Sequence, residues 1–272
     1  MNEPVPNIIR TLPRGVLLSA LLLFVMLLLS TSSSFRDAGE HRLDEAGNRA
    51  IAAFAVARTI NGVVSVIQEM EVGVSLGINT TLQPGQILDP LNDLIERFST
   101  AALIAATLLW ALKLVGDFVV TPWLPLLLLG LLAARMLLAR WAPRLDVETL
   151  LTRAVRIGIV IWAFAALTPW VIDSVHSSPV VQTHYHQATE DFDTAGRQLR
   201  GIVDLESPWD VDRSRLGDRM AQLADMADRL SRQAVIVLAV FVFEVLIVPI
   251  AIFWISSRVL LNPRAMVLDQ AG

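Results

Sequence analysis

The sequence contains no cysteine. Disulfides, thiolate metal sites and cysteine nucleophiles are therefore excluded, and the redox state of the compartment leaves no mark on the chain. Charge is scarce as well, at 18% of 272 residues, with a formal net charge of −4. A slightly acidic chain with no basic run among aromatics has no grip on a phosphate backbone, so nucleic acid is not an expected partner. No Gly-rich phosphate loop follows a strand, no HExxH helix is present and no G-x-S-x-G elbow occurs. Neither a catalytic motif nor a cofactor motif is on offer, and the reading leans away from an enzyme.

Lysine is nearly absent too. Lys113 is the single one, arginine carrying the rest of the basic charge, a compositional pointer to a GC-rich bacterial genome. What the chain has in excess is apolar surface: 54% hydrophobic residues and a mean hydropathy of +0.56, concentrated in blocks. Blocks of that kind point to membrane spans. The first covers residues 14–30, with Arg10 and Arg14 before it and no A-x-A cleavage pattern after it, which reads as an uncleaved signal-anchor. A marginal one covers 50–67 and contains Arg58. It is either an amphipathic helix lying on the membrane or on other helices, or a span with Arg58 turned inward. Residues 71–79, EVGVSLGIN, alternate apolar with small or polar residues at the period of a strand. Asn79-Thr80-Thr81 formally matches a glycosylation sequon.

Asp89 is a helix cap and Pro90 suits a first helical position, so a juxtamembrane helix is expected from residue 89. Its apolar face, Leu91, Leu94, Ile95, Phe98 and Ala102, runs on into about forty apolar residues, roughly 60 Å of straight helix. That is twice the hydrocarbon thickness, so two spans, 100–116 and 122–139, are expected with a turn near Gly116–Pro125 and Trp123 as an interfacial anchor. Further spans cover 156–174 and 233–258, before a cytoplasmic tail at 259–272.

Between them, residues 175–232 are polar. Ala188, Phe192, Ala195, Leu199 and Ile202, then Leu216, Met220, Leu223, Ala227 and Leu230, fall at coiled-coil spacing on either side of a Ser/Pro/Asp turn. A helical hairpin follows. Its stripe either seals its own seam or binds another subunit or protein, so residues 186–232 are the candidate surface for a partner or for self-association. The expected fold is thus an all-α integral membrane protein with five to six transmembrane helices and an extracytoplasmic coiled-coil-like hairpin.

Arginines flank the apolar blocks at 10 and 14, from 135 to 156, and at 258 and 264. The positive-inside rule puts all three groups in the cytoplasm. Parity then requires residues 50–67 to cross, giving six spans, if residues 100–139 form a hairpin. If 100–138 is instead a single kinked crossing, residues 31–98 lie outside with the 175–232 hairpin.

Glu244, near the middle of the last apolar run, is costly to bury unless protonated or paired, and so marks a site by default. Lys113 and Asp117, one turn apart, are candidate partners for it. It is either a carboxylic acid that locks helices together or a coupling group for protons or ions. His176, His184 and His186 with Glu190 have a spacing that resembles metal ligation, His186 and Glu190 sharing a helix face. The competing reading is a solvated interfacial loop.

The segments ARTINGVVSVIQEMEV and PGQILDPLNDLIERFS, followed by an apolar stretch, together resemble an uncharacterised group of bacterial inner-membrane proteins. The likeness covers about residues 48–115 and extends to a terminal span with a polar residue before Ile-Val-Pro. It implies a multi-pass protein of the bacterial inner membrane and carries no activity with it. The function expected is a non-enzymatic assembly, scaffold or signalling component whose first partner is the lipid bilayer. The alternatives are a small transporter or channel subunit using Glu244 with Lys113 and Asp117, and a metal-binding membrane protein. No cofactor is expected.

Overall fold

A computed structural model of the chain describes residues 14–74, 84–141, 147–203 and 216–261. Apart from breaks at Ser32, Val120–Pro122 and Ser177–Ser178, these residues are helical, and none among them forms a strand. The elements are α1 (Arg14–Thr31), α2 (Ser33–Val74), α3 (Pro84–Val119), α4 (Trp123–Trp141), α5 (Val147–His176), α6 (Pro179–Val203), α7 (Leu216–Val242), a π-helical turn (Phe243–Ile247) and α8 (Val248–Leu261). Among the described residues, four helical stretches are long and apolar enough to cross a membrane: Ser33–Val66, Asp89–Val119, Thr149–His176 and Ala224–Leu260. Shorter apolar helices run over Val16–Thr31 and Trp123–Ala139.

The breaks have local causes. Ser32 caps α2: its Oγ accepts the Phe35 N–H at 3.3 Å, the third helical position. At Ser178–Pro179 the Ser178 carbonyl accepts the Gln182 N–H at 3.0 Å, and Pro179 opens α6 at the position where its missing donor costs nothing. α3 starts at Pro84, earlier than the expected Asp89–Pro90, because Pro84 suits a first helical turn equally well. Pro90 then lies inside the helix, where it withholds one backbone donor from Gln86. The alternating segment at 71–79 is not a strand where it is described, since Val72 and Val74 complete α2. The rest of it, the sequon, the turn after Val203 and the tail beyond Leu261 lie outside the described residues.

The helices divide into two compact units. One comprises residues up to 43, 111–171 and from 248 onward; the other comprises 44–110 and 172–247. In the first, Val16, Leu23 and Met26 of α1 share a buried core with Leu124, Leu128 and Leu132 of α4 and Val155, Ile159 and Trp162 of α5. Trp162 Nε1–H donates to Ser30 Oγ at 2.9 Å within it. Gly158 is a close approach between α4 and α5: a Cβ there would lie 2.5 Å from Leu128 Cδ2.

Contacts inside this unit fix helix directions. Ser30 meets Trp162, Phe35 stacks on Trp170 at 5.7 Å, and Gly39 approaches Pro169, so α1 and the start of α2 run parallel to α5. Lys113, Gly116 and Asp117 face the Pro169–Trp170 level of α5, whereas Leu128 meets Gly158. The chain therefore advances steadily along α5 from residue 113 to 128 and does not reverse. The turn expected near Gly116–Pro125 is a kink. Pro122 lacks the N–H that would continue the ladder to Phe118, and that carbonyl instead accepts Trp123 Nε1–H and Thr121 Oγ–H, each at 2.9 Å. Val120 still donates to Gly116 at 2.8 Å and Leu126 to Pro122 at 3.2 Å, so the passage is helical on both sides of the bend.

The second unit packs α6 beside α7 and against parts of α2 and α3. Ala188, Phe192 and Ala195 of α6 are buried, as are Ala227, Leu230, Ala234 and Val237 of α7. The α6 stripe seals more than its own seam: Phe192 stacks on Phe98 of α3 at 5.4 Å, and Gly196 approaches Ile60 of α2. Leu199, Ile202, Leu216, Met220 and Leu223 have side chains outside the described set. In α2, Ala50, Ala53, Ala57, Ile60 and Val64 are buried at helical spacing, the small side chains permitting close approach. The described part of α2 exposes only Ile51 and Val66 among large hydrophobics, whereas α1 exposes Leu17, Leu18, Leu21, Phe24, Val25 and Leu28. Residues 50–64 thus carry one buried stripe, and Arg58 is on the exposed side of the helix, its guanidinium 5.6 Å from the Phe54 ring.

Candidate functional site

Three helices of the second unit bring one buried carboxylate its partners. Glu244 belongs to the π-helical turn, and Pro249 follows five residues later. An interior proline withholds its donor from the carbonyl four residues back and crowds it, and widening the helix by one residue relieves that clash. Phe241, Glu244, Val245 and Val248 share the buried side at ordinary helical spacing.

Glu244 is 1% exposed. His176, in the last turn of α5, places Nδ1 2.8 Å from Glu244 Oε1, and Arg49 of α2 places Nη2 3.9 Å from Oε2. With Glu244 ionised, His176 Nδ1–H is the donor, which fixes the imidazole tautomer and leaves Nε2 as its acceptor. The side chains of His176 and Arg49 are 13% and 20% exposed, so this is a mostly desolvated contact. Arg49 Nε is buried and finds no protein acceptor.

Tyr185 of α6 closes the cluster, its ring 5.1 Å from His176 and 6.4 Å from Phe241. Burial pushes its hydroxyl above the ordinary value of 10.0; the Arg49 charge pulls it down and Glu244 pushes it up. An imidazole held by a carboxylate is half of a base–orienter pair. Among the described residues no nucleophile is hydrogen-bonded to that imidazole, whose hydrogen bond is to Glu244. The geometry serves to hold α2, α5 and α7 together around one charge.

The other candidate residues are placed differently. Lys113 and Asp117 belong to the first unit, where they line a cavity with Arg36, Glu40 and Trp170; the partners the structure gives Glu244 are His176 and Arg49. His184, His186 and Glu190 are exposed on α6, while His176 points to Glu244. His184 and His186 stand about 200° apart around the helix axis. Among the described residues no group of three His, Asp or Glu side chains is arranged to hold a metal.

Arg49 and Tyr185 were not singled out by the sequence reading. Arg49 is the last charge before the apolar run at Ala50, and Tyr185 stands between His184 and His186. The π-helical turn had a signal in the spacing of Glu244 and Pro249. No protein-family model matches the chain, and neither the curated proteins nor the solved structures include a significant match to it.

Proposed function

We propose that this chain is a multi-pass protein of the bacterial inner membrane that acts as a non-enzymatic assembly or signalling component. Four crossings satisfy the chain: α1 with the start of α2, the end of α3 with α4, α5, and the end of α7 with α8. The arginines at 10 and 14, 135–156 and 258–264 then all share the cytoplasmic side. Parity sends residues 44–98 and 177–232 to the opposite side, and their helices α2, α3, α6 and α7 would present the face that meets a partner.

The observation that carries the reading is the Arg49–Glu244–His176 cluster. A buried carboxylate held by groups from α2 and α5 makes the end of α7 answer to both helices. Displacement of the α6–α7 pair by a partner would have to break or reshape that contact. A buried polar cluster has its best-attested use as such a register device.

Transport by way of Glu244 is the competing reading, favoured by a π-helical turn at a buried ionisable residue. Proteoliposomes separate the two. Ion or proton flux equal to that of empty liposomes is expected, with Glu244→Gln indistinguishable from wild type. Flux that Glu244→Gln abolishes would overturn the assembly reading in favour of transport. Since the chain has no native cysteine, single cysteines report topology cleanly. Cysteines replacing Asp93 and Glu190, both exposed, are expected to label from outside intact cells, and one replacing exposed Arg153 is not. Protection at position 93 with labelling at 190 would refute four crossings and restore six.

A further inference from the structure

Four exposed arginines of the second unit are each paired with an aspartate one turn earlier. Arg97 meets Asp93 at 3.0 Å, Arg197 meets Asp193 at 2.7 Å, Arg229 meets Asp225 at 2.6 Å and Arg232 meets Asp228 at 2.8 Å. Pairs of this kind belong to helix faces in water. In the first unit, Arg153 and Arg156 of α5 and Arg258 of α8 have no carboxylate partner among the described residues. Arg58 of the second unit also lacks one and lies over Phe54.

The three unpaired arginines of the first unit gather at one end of it. Phe253 of α8 meets Phe164 of α5 edge-on, with ring centroids 6.1 Å apart. Leu260 packs on a core to which α5 contributes residues between Val155 and Ala166. In a parallel arrangement Leu260 would reach the level of Val171, beyond that core, so α8 runs antiparallel to α5. Arg258 then lies about 7 Å along the axis from the phenylalanine pair. Arg156 lies about 12 Å from the pair in the same direction, and Arg153 about 5 Å farther.

Both helices show the same exposed order. On α5, Arg153, Ile157 and Ile161 are exposed at spacings of four; on α8, Ile250, Trp254 and Arg258 are exposed at the same spacing in reverse. Residues four apart share a helix face. Antiparallel packing therefore gives each stripe a guanidinium at the same end and apolar side chains toward the middle of the helix. The Arg258 guanidinium lies 5.1 Å over the Trp254 ring, a contact through its face that leaves its in-plane N–H groups to donate.

We propose that this end of the first unit binds an anionic phospholipid. The phosphodiester accepts N–H groups of Arg153, Arg156 and Arg258, whose planar forks match its oxygens. The acyl chains lie along Ile157 and Ile161 and along Ile250 and Trp254. A zwitterionic headgroup carries its own ammonium against three uncompensated cations and is disfavoured, and a free phosphate ion gains nothing from the apolar stripes. The inference rests on the proposal that α5 and α8 cross the bilayer, and it uses no residue of the Glu244 cluster.

Full-length protein in mild detergent, equilibrated with equimolar phosphatidylglycerol and phosphatidylethanolamine of the same acyl chains, is assayed for retained lipid by native mass spectrometry. Phosphatidylglycerol is expected to be retained roughly fivefold over phosphatidylethanolamine, the scale of one arginine at a charged surface. Replacing Arg153, Arg156 and Arg258 together with Gln should abolish the preference, and replacing them with Lys should keep part of it. Arg58→Gln, which removes an exposed unpaired arginine of the second unit, should leave it unchanged. Single Gln variants, each lowering the preference, carry the test if the triple variant does not fold. Equal retention of the two lipids, displacement by millimolar inorganic phosphate, an unaffected triple Gln variant or an equal loss in Arg58→Gln would each overturn the proposal. Flotation on phosphatidylcholine vesicles after an alkaline carbonate wash tests the crossings separately. Protein released by the wash refutes the membrane reading, whereas protein that floats yet shows no lipid preference refutes the lipid site alone.

Discussion

Replacing Glu244 is the most informative perturbation, because its cost can be worked from its surroundings. The carboxylate accepts from His176 at 2.8 Å and lies 3.9 Å from Arg49, with 1% of its own surface exposed. A hydrogen bond to a charged group contributes about 1.5–3 kcal/mol. Removing one member of a buried ion pair costs about 3–5 kcal/mol, because the other charge is left behind. Arg49 retains 20% exposure and its 3.9 Å separation is beyond hydrogen-bond range, so its share falls at the low end. Glutamine keeps the volume, and its amide oxygen still accepts from His176 Nδ1–H. Glu244→Gln is therefore expected to cost about 2 kcal/mol, and Glu244→Leu about 3–4 kcal/mol. The assay is reversible unfolding in mixed micelles of a mild detergent and dodecyl sulfate, followed by helicity, in a double-mutant cycle with His176→Gln. A coupling of about 1–2 kcal/mol is expected between the two sites. Replacing all three residues with apolar ones of similar volume should recover most of the loss, as happens when a whole buried ionic set is exchanged. A coupling indistinguishable from zero, or a Glu244→Leu protein as stable as wild type, would refute the idea that this contact ties the helices.

Tyr185 is the single tyrosine, so the near-ultraviolet absorbance of tyrosinate titrates it alone. A midpoint above 10.0 is expected, moving higher in Arg49→Gln and lower in Glu244→Gln, in accord with the sign of each neighbour's effect. Because the folded-state value is raised, the folded protein holds this proton more tightly than the unfolded chain does. Its contribution is whole below pH 10.0 and is lost as pH climbs through the folded value, so Tyr185→Phe should flatten that decline; an unshifted midpoint would contradict the burial argument. At the α4–α5 contact, Gly158→Ala would set a Cβ 2.5 Å from Leu128 Cδ2. The overpacking should cost about 1–3 kcal/mol, partly offset by better helix propensity. Leu128→Ala in the same chain should relieve the clash, and a double variant less stable than both singles would argue against this packing.

How legible the molecule was depends on which interactions decide each feature. Helices follow from apolar periodicity and caps, which are local, so the all-helical character could be read directly. The buried carboxylate was legible as well, since a lone Glu244 in an apolar run is costly by composition alone. Its partners were not. His176 and Arg49 lie in other helices, and no local pattern says which distant charge will meet it. Lys113 and Asp117 attracted attention because they too interrupt an apolar run, but they line a different cavity. The strand expected at 71–79 gives way at 71–74, the described part, for a related reason: alternation over a few residues says little when a preceding helix is already propagating, and α2 carries through Val74.

The turn expected near Gly116–Pro125, where the structure has a kink, rests on a length argument. About forty apolar residues make roughly 60 Å of helix, too long for one perpendicular span. That reasoning assumes every apolar residue faces lipid and that prolines make turns. In α3, Ala102, Ala105, Ala106 and Leu109 are buried against protein, so part of the apolar run serves packing. Pro122 and Pro125 bend the passage rather than reverse it, since the carbonyl freed at Phe118 is taken up by Trp123 and Thr121. Without a reversal there, the proposed four crossings would keep Arg58, exposed on α2, out of the membrane. Under the positive-inside rule the same step would also remove the parity conflict. In the proposed topology a single passage at 111–141 would return the chain to the arginine-rich side before α5, and the final helix would return it there again. The kink, a local matter of one missing backbone donor, is thus the feature on which the proposed sidedness turns.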